Sequence, residues 1–317
     1  MPDDGPAGPS GPSASPGSSG DPGDAPGPSP AGQPLCAEAR ALVRADPSDS
    51  EDTHVQVVAL LRRALASGED DAPGLLATAH LERGDRRAAA EVLGPAVHGP
   101  GHHSELAATL GETLAELGDH DGAEAAFLVG LDAGDPSAIN DYGVFLRDRG
   151  RAQEAAYVLD RAVRAGDDLA PLNLVALHLE ELDDPDTAAA IAQEYADEAR
   201  PSSLVALADV RLAEHRVDEA EELYRRASEL GAACAHIYYG WFLQDRRGDL
   251  AGAEDQLRRA RDAAEPGAAF HLARFLHDTG RREEAQPLFE EAAHFGDADA
   301  QEVLETEYLD LVDRWDD

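Results

Sequence analysis

A small residue recurs along this chain at an almost constant interval, and that period restricts the fold more than any other feature. The column reads Ala77, Gly111, Gly143, Ala176, Ala208, Gly240 and Ala273, with steps of 34, 32, 33, 32, 32 and 33 residues. Seven residues after four of them stands a glycine helix stop, at Gly84, Gly118, Gly150 and Gly280. The other three units place Asp183, His215 and Arg247 there, with Gly248 one later. Twelve residues on, alanine falls in register at Ala89, Ala123, Ala155, Ala220 and Ala285; nineteen on stand Ala96, Gly130, Ala162, Ala227 and Ala292. Ala189, Ala196, Ala253 and Ala260 join these columns if the turns of units four and six each carry one extra residue. Between the two columns sits a larger residue: Leu93, Phe127, Leu159, Tyr224, Leu257 or Phe289. Two antiparallel helices cross closely only where small residues occupy the crossing point, and large side chains one turn away then fill the space between neighbouring pairs. One pair cannot bury its own apolar face, so such pairs stack into a quasi-one-dimensional array.

The run Tyr142-Gly143, Leu146, Gly150, Glu154-Ala155, Leu159, Ala162 resembles a tetratricopeptide repeat at its standard spacing. Gly-Asp turns at Gly134-Asp135, Gly166-Asp167 and Gly296-Asp297 resemble the related Sel1-like repeat, but the period is shorter than that repeat's, so the tetratricopeptide resemblance prevails. It covers roughly residues 69–300. It implies an all-α, right-handed α-solenoid of about seven helix-turn-helix repeats with terminal capping helices, acting as a protein-binding module.

The flanks read differently. Residues 1–34 hold ten prolines, eight glycines and six serines, with almost nothing to pack, and are expected to be a disordered tail. Residues 35–68 read as a capping helix pair: Leu35 to Ala45, stopped by Asp46-Pro47, then Glu51 to Ser67 with Val55, Val58, Leu61 and Leu65 on its apolar side. Residues 301–317 read as a C-terminal capping helix bearing Val303, Leu304, Tyr308, Leu311, Val312 and Trp315. His80 and Arg211 interrupt the column of Leu114, Leu146, Leu179, Leu243 and Leu276, and Gln193 stands where unit four should carry a bulky residue.

Charge narrows the partner class. Against 64 acidic residues stand 26 basic ones, for a net charge of -38. A surface so negative repels phosphate backbones and anionic membranes, and favours basic proteins or peptides. All 26 basic residues are arginine, in keeping with a GC-rich genome such as an actinobacterium's. Without lysine there is no P-loop lysine and no Schiff-base nucleophile. Cys36 and Cys234 form no CxxC pair and read as reduced thiols of a cytoplasmic protein. Neither a membrane span nor a signal peptide is expected.

Catalytic motifs are missing: there is no HExxH, GxSxG or P-loop, and no enzyme activity or cofactor is expected. His98, His102 and His103 cluster in a glycine- and proline-rich loop beside Glu105, but no fixed ligand spacing completes a metal site. His271 and His277 are six residues apart, on different faces of one helix, and do not combine with His236.

In repeats of the resembled family the first helices line a concave groove. That implies Asn140, Val144, Asn173, Leu177, Val205 and Asp209 as groove positions, followed by Ile237, Trp241 and Gln244, then Phe270, Arg274 and His277. Ile237, Trp241 and Phe270 would form contiguous apolar surface suited to anchor a partner. Asn140 and Asn173 share one column and could hold a peptide backbone. Two residues before each turn stand Glu82, Glu116, Asp148, Glu181, Ala213, Asp245 and Asp278. This acidic column sits at helix C-termini, where the macrodipole disfavours it. The expected function is therefore binding of a basic and apolar segment; the alternative is a self-associating structural protein that fills its own groove.

Overall fold

The computed structural model describes residues 34–46, 50–294 and 297–313. The tail before residue 34, Pro47, Gly296 and Trp315 lie outside them. Helices occupy the described chain throughout, with no strand beyond a single bridge between Asp197 and Arg200. They alternate as α1 (Leu35–Ala45) and α2 (Glu51–Ser67), then α3 (Ala72–Leu81) and α4 (Arg86–His98), α5 (Ala107–Glu116) and α6 (His120–Ala133), α7 (Pro136–Asp148) and α8 (Ala152–Ala165). There follow α9 (Ala170–Glu180) and α10 (Pro185–Tyr195), α11 (Ser202–Ala213) and α12 (Val217–Glu229), α13 (Ala235–Phe242) and α14 (Leu250–Asp262), and α15 (Ala268–Asp278) and α16 (Arg282–His294). A last helix, α17 (Ala298–Asp313), closes the series. Each helix packs on its hairpin partner and on the next pair, so the chain is an α-solenoid of seven repeat units preceded by the α1–α2 pair.

The sequence columns explain the packing. Phe127, Leu159, Leu257 and Phe289 are buried between the helices, opposite the small residues of the first helices. A Cβ built on Gly143 would come within 2.6 Å of the Leu159 side chain, so only glycine permits this approach. The stops work by backbone conformation: Gly118 and Gly150 have φ of 79° and 71°, in the left-handed region. Asp183 and His215 occupy the same conformation, at φ 48° and 61°, without glycine's freedom. The extra residue in unit six appears as a π-helical turn over Leu243–Arg247, ended by Gly248.

Unit four departs from the sequence alignment. Val175 and Ala192 are the buried pair there, whereas Ala176 and Ala189 are half-buried and Gln193 is exposed. The unit is set one residue earlier than the alanine column indicates, and the usual small and large positions are exchanged. Gln193, displaced outward, accepts a hydrogen bond from Arg211 at 3.2 Å, and Arg211 also pairs with Glu214 at 3.0 Å. The leucine column is thus broken at unit five by an arginine whose head finds polar partners at the surface.

The α2 stripe is also rotated from expectation. Val57, Leu60, Leu61 and Ala64 are buried, while Val55 and Leu65 face outward. At the other end, α17 starts three residues earlier than expected, and Val303 and Leu304 pack on the core; the side chains of Tyr308, Leu311 and Val312 lie outside the described residues.

Arginine stitches neighbouring units together. Arg151 reaches back to Glu124 at 2.8 Å, Arg281 to Glu254 at 2.7 Å, and Arg247 to Asp218 at 2.6 Å. Exposed pairs of this kind contribute only about 0–1 kcal/mol each, so they fix register more than they stabilise. The winding brings the two ends together. Arg86 and Glu116, from units one and two, share a pocket of about 560 Å³ with Arg261, Phe270 and Glu291 of units six and seven. His294, at the end of α16, lines a cleft with residues of α1, α2 and α3.

Candidate interaction surface

The first helices α7, α9, α11, α13 and α15 carry the expected groove positions, and the side chains of the first helices fall into two regions. Toward the C-terminal end, Trp241 is half-buried and meets Tyr238 edge-on at 5.4 Å and His271 edge-on at 4.8 Å between ring centroids. The Arg274 guanidinium lies over both Trp241, at 5.8 Å, and Phe270, at 5.9 Å. Burial, with the Arg274 charge next in size, pushes the His271 imidazole down to about 4, so it is neutral at pH 7. Gln244 is half-buried, as is His277, whose ring packs against Phe289 and lies 3.4 Å from Asp278.

This arrangement corrects the expectation of a broad apolar surface. Ile237 is only 2% exposed and packs with Ala260 and Ala268, and Phe270 is 9% exposed against Phe289. Both are core, Ile237 against α14 and the first helix of the next unit and Phe270 against α16 of its own unit, so of the three apolar residues Trp241 alone remains reachable. Leu177 and Val205 are likewise buried, not groove-facing. Tyr238 was not singled out in the sequence, although it stands one helical turn before Trp241, and His271 was weighed there only as a metal ligand.

Toward the N-terminal end the groove is acidic. Enclosure pushes the Asp209 carboxyl up to about 7, even though the Tyr224 hydroxyl donates a hydrogen bond to it. Asp141 is pushed up to about 6 by burial, against the opposing pull of the Asn140 amide. Glu112 has an exposed side chain but protein on most sides, which raises it to about 7, with Asp141 and Glu116 adding repulsion. Val144 is half-buried. Asn140, 3% exposed, and Asn173 are joined to one another, not open to a peptide: the Asn173 amide donates to the Asn140 carbonyl oxygen at 2.9 Å.

The acidic column is exposed at Glu82, Glu116, Asp148, Glu181, Asp245 and Asp278. Some of its charge is matched within the protein. Glu116 pairs with Arg86, and Glu181 with Arg147 at 2.5 Å, an arginine that also holds Glu180 at 2.7 Å. Of the loop histidines, His103 bonds Glu105 at 2.9 Å; His236, in α13, bonds Gln256 at 2.9 Å. Among the described residues no group of three metal-ligating side chains converges, and no helix is long and apolar enough to cross a membrane. Cys36 and Cys234 are both free, and burial pushes the Cys36 thiol up to about 11.

An array of stacked helix hairpins defines an α-helical repeat fold. Its units have the tetratricopeptide-repeat fold, and the family model for that repeat matches residues 75–138. Among solved structures, yeast Tom70 superposes with a TM-score of 0.55 at 16% identity over 88% of this chain. This chain spans 65% of that one, somewhat under two thirds of its length. A tetratricopeptide repeat protein from Parabacteroides merdae aligns with a TM-score of 0.46 at 15% identity, covering 74% of this chain and 97% of its own. The pilF protein of Pseudomonas aeruginosa gives 0.43 at 20% identity, covering 66% and 97%. At such identities the likeness is one of fold. No curated protein sequence matches the chain.

Proposed function

We propose that the protein is a non-enzymatic scaffold that binds a segment of another protein along the inner face of its solenoid. The observation that carries this reading is the half-buried Trp241 ring, held edge-on by Tyr238 and His271 and continuous with an acidic inner face. A partly exposed indole fixed by its neighbours is the kind of group that anchors an interface, because little entropy remains to be lost when it is covered. The exposed carboxylates of Asp148, Asp245 and Asp278 favour arginine or lysine in the bound segment. They act mainly on the rate of encounter.

The test is affinity purification from the native host with the unaltered protein and with Trp241→Ala. Proteins retained by the first and lost by the second should carry a basic segment with a bulky apolar residue. An unchanged set of retained proteins would move the binding site away from Trp241. Recovery of nothing but further copies of the chain would favour the self-associating alternative.

A further inference from the structure

A second recess lies among the described residues, apart from Trp241 and its neighbours. It is a cleft of about 750 Å³ at the N-terminal pair, where α1, α2 and α3 meet His294 of unit seven. Its floor is apolar, built from Ala39, Val57, Leu61, Leu75 and Ala79, and Val43 stands at its edge with 55% of its surface exposed. Its volume lies within the range of roughly 300–1,000 Å³ typical of ligand pockets. Its rim departs from the rest of the protein. Arg40, Arg44, Arg83, His54 and His294 line it, against only Asp46 and Glu82. In a chain of 64 acidic and 26 basic residues, such a local excess of arginine is the reverse of the global balance. Arg40 is held by Asp71 at 2.8 Å, whereas Arg44, exposed in the last turn of α1, forms no ion pair with a described residue.

We propose that this cleft is a second docking site, for a segment of another protein that presents an apolar side chain between carboxylates. The apolar floor takes the side chain, and Arg44 at the rim pairs with a flanking acid. The chemistry is opposite to that of the inner face, so one molecule could join a basic partner to an acidic one. The net charge of -38 does not prevent this. At physiological salt the Debye length is about 8 Å, so the distant carboxylates are screened and the groups lining the cleft decide. Because His294 and the N-terminal pair line the same cleft, its occupant would also touch both ends of the solenoid.

The experiment uses the full chain and a fluorescein-labelled peptide of repeated Asp-Glu-Leu-Leu units, read by anisotropy at physiological salt. The expected result is saturable binding. It should weaken by about tenfold or more with Asn-Gln-Leu-Leu units, and equally with Arg44→Glu or Val43→Asp, each a surface change whose fold is checked by circular dichroism. Trp241→Ala should leave it unchanged, which separates this site from the inner face. No saturable binding, or equal affinity for the amide peptide or for Arg44→Glu, would overturn the proposal. So would two further outcomes. A rise in probe affinity when Asp3, Asp4, Asp21 and Asp24 are all changed to Asn would show the chain's own N-terminal segment to be the occupant. Dimerisation abolished by Arg44→Glu would show it to be a second copy.

Discussion

Asn173 donates its side-chain amide to the carbonyl oxygen of Asn140, 2.9 Å away and 33 residues earlier, joining the first helices of two consecutive units. Asn140 in turn directs its own amide toward Asp141 at 3.3 Å, so a short polar chain lies where the solenoid would otherwise be apolar. Removing one partner leaves a buried amide unmatched, and that asymmetry sets the size of the effect. Asn173→Ala should destabilise the protein by about 1–3 kcal/mol in urea unfolding. Replacing both asparagines with leucine should cost less than the two single changes summed. Strict additivity would mean that the bond carries no coupling.

Gly143 and Leu159 test the crossing rule. Gly143→Ala forces a methyl group against Leu159 and should destabilise by about 1–3 kcal/mol, the usual cost of overpacking. Adding Leu159→Val should recover part of that loss, because it vacates the space the new methyl needs. Thermal unfolding of the single and double variants decides it.

Asp209 makes stability depend on pH in a stated direction. Its carboxyl titrates near 7 when folded and near the ordinary value of about 3.9 when unfolded, so the folded state holds its proton more tightly. The resulting stabilisation is complete below about pH 4, declines as pH rises, and is gone once pH passes 7. Relative to Asp209→Asn, the natural protein should therefore lose stability from pH 4 to 7 and run parallel above it. Urea midpoints at a series of pH values give the comparison. A natural protein that instead gains stability relative to Asp209→Asn as pH rises would place the carboxyl in a cation-paired setting, and a constant difference would place it in a solvated one.

Trp241 and the acidic column should contribute separately to partner binding. Trp241→Ala is expected to lower affinity by about 2 kcal/mol, with helical content retained and salt dependence nearly unchanged. Asp245→Asn together with Asp278→Asn should flatten the salt dependence and leave the low-salt dissociation rate close to the original. Surface binding kinetics at several ionic strengths resolve the two effects. An unfolded Trp241→Ala would assign the indole to the core.

The helix pairs, their stops and most of their buried columns were legible because small residues at crossings and left-handed turns leave a direct mark on sequence. Unit four was not, for a physical reason. Its second helix offers Ala188, Ala189, Ala190, Ala192 and Ala196, several of which fit the column, and only the pairing of Val175 with Ala192 fixes the register. The inner face was legible in part. A helical period shows which residues share a face, as with Asn140 and Asn173, but not whether the next unit covers that face. Packing buried Ile237 and Phe270 and left Trp241 half-open, and it depends on which helices close over each position. The cleft with His294 was beyond any local reading, because its walls come from opposite ends of the chain.

That meeting of ends fixes the number of units. Open helical arrays can lengthen by duplication of a unit with little consequence beyond reach. In this molecule the edge carrying Arg86 and Glu116 faces the edge carrying Arg261 and Glu291, so another unit between them would slide one edge past the other and dismantle both shared cavities. The two cavities are therefore tied to the number of units, and duplication within the array should dismantle them.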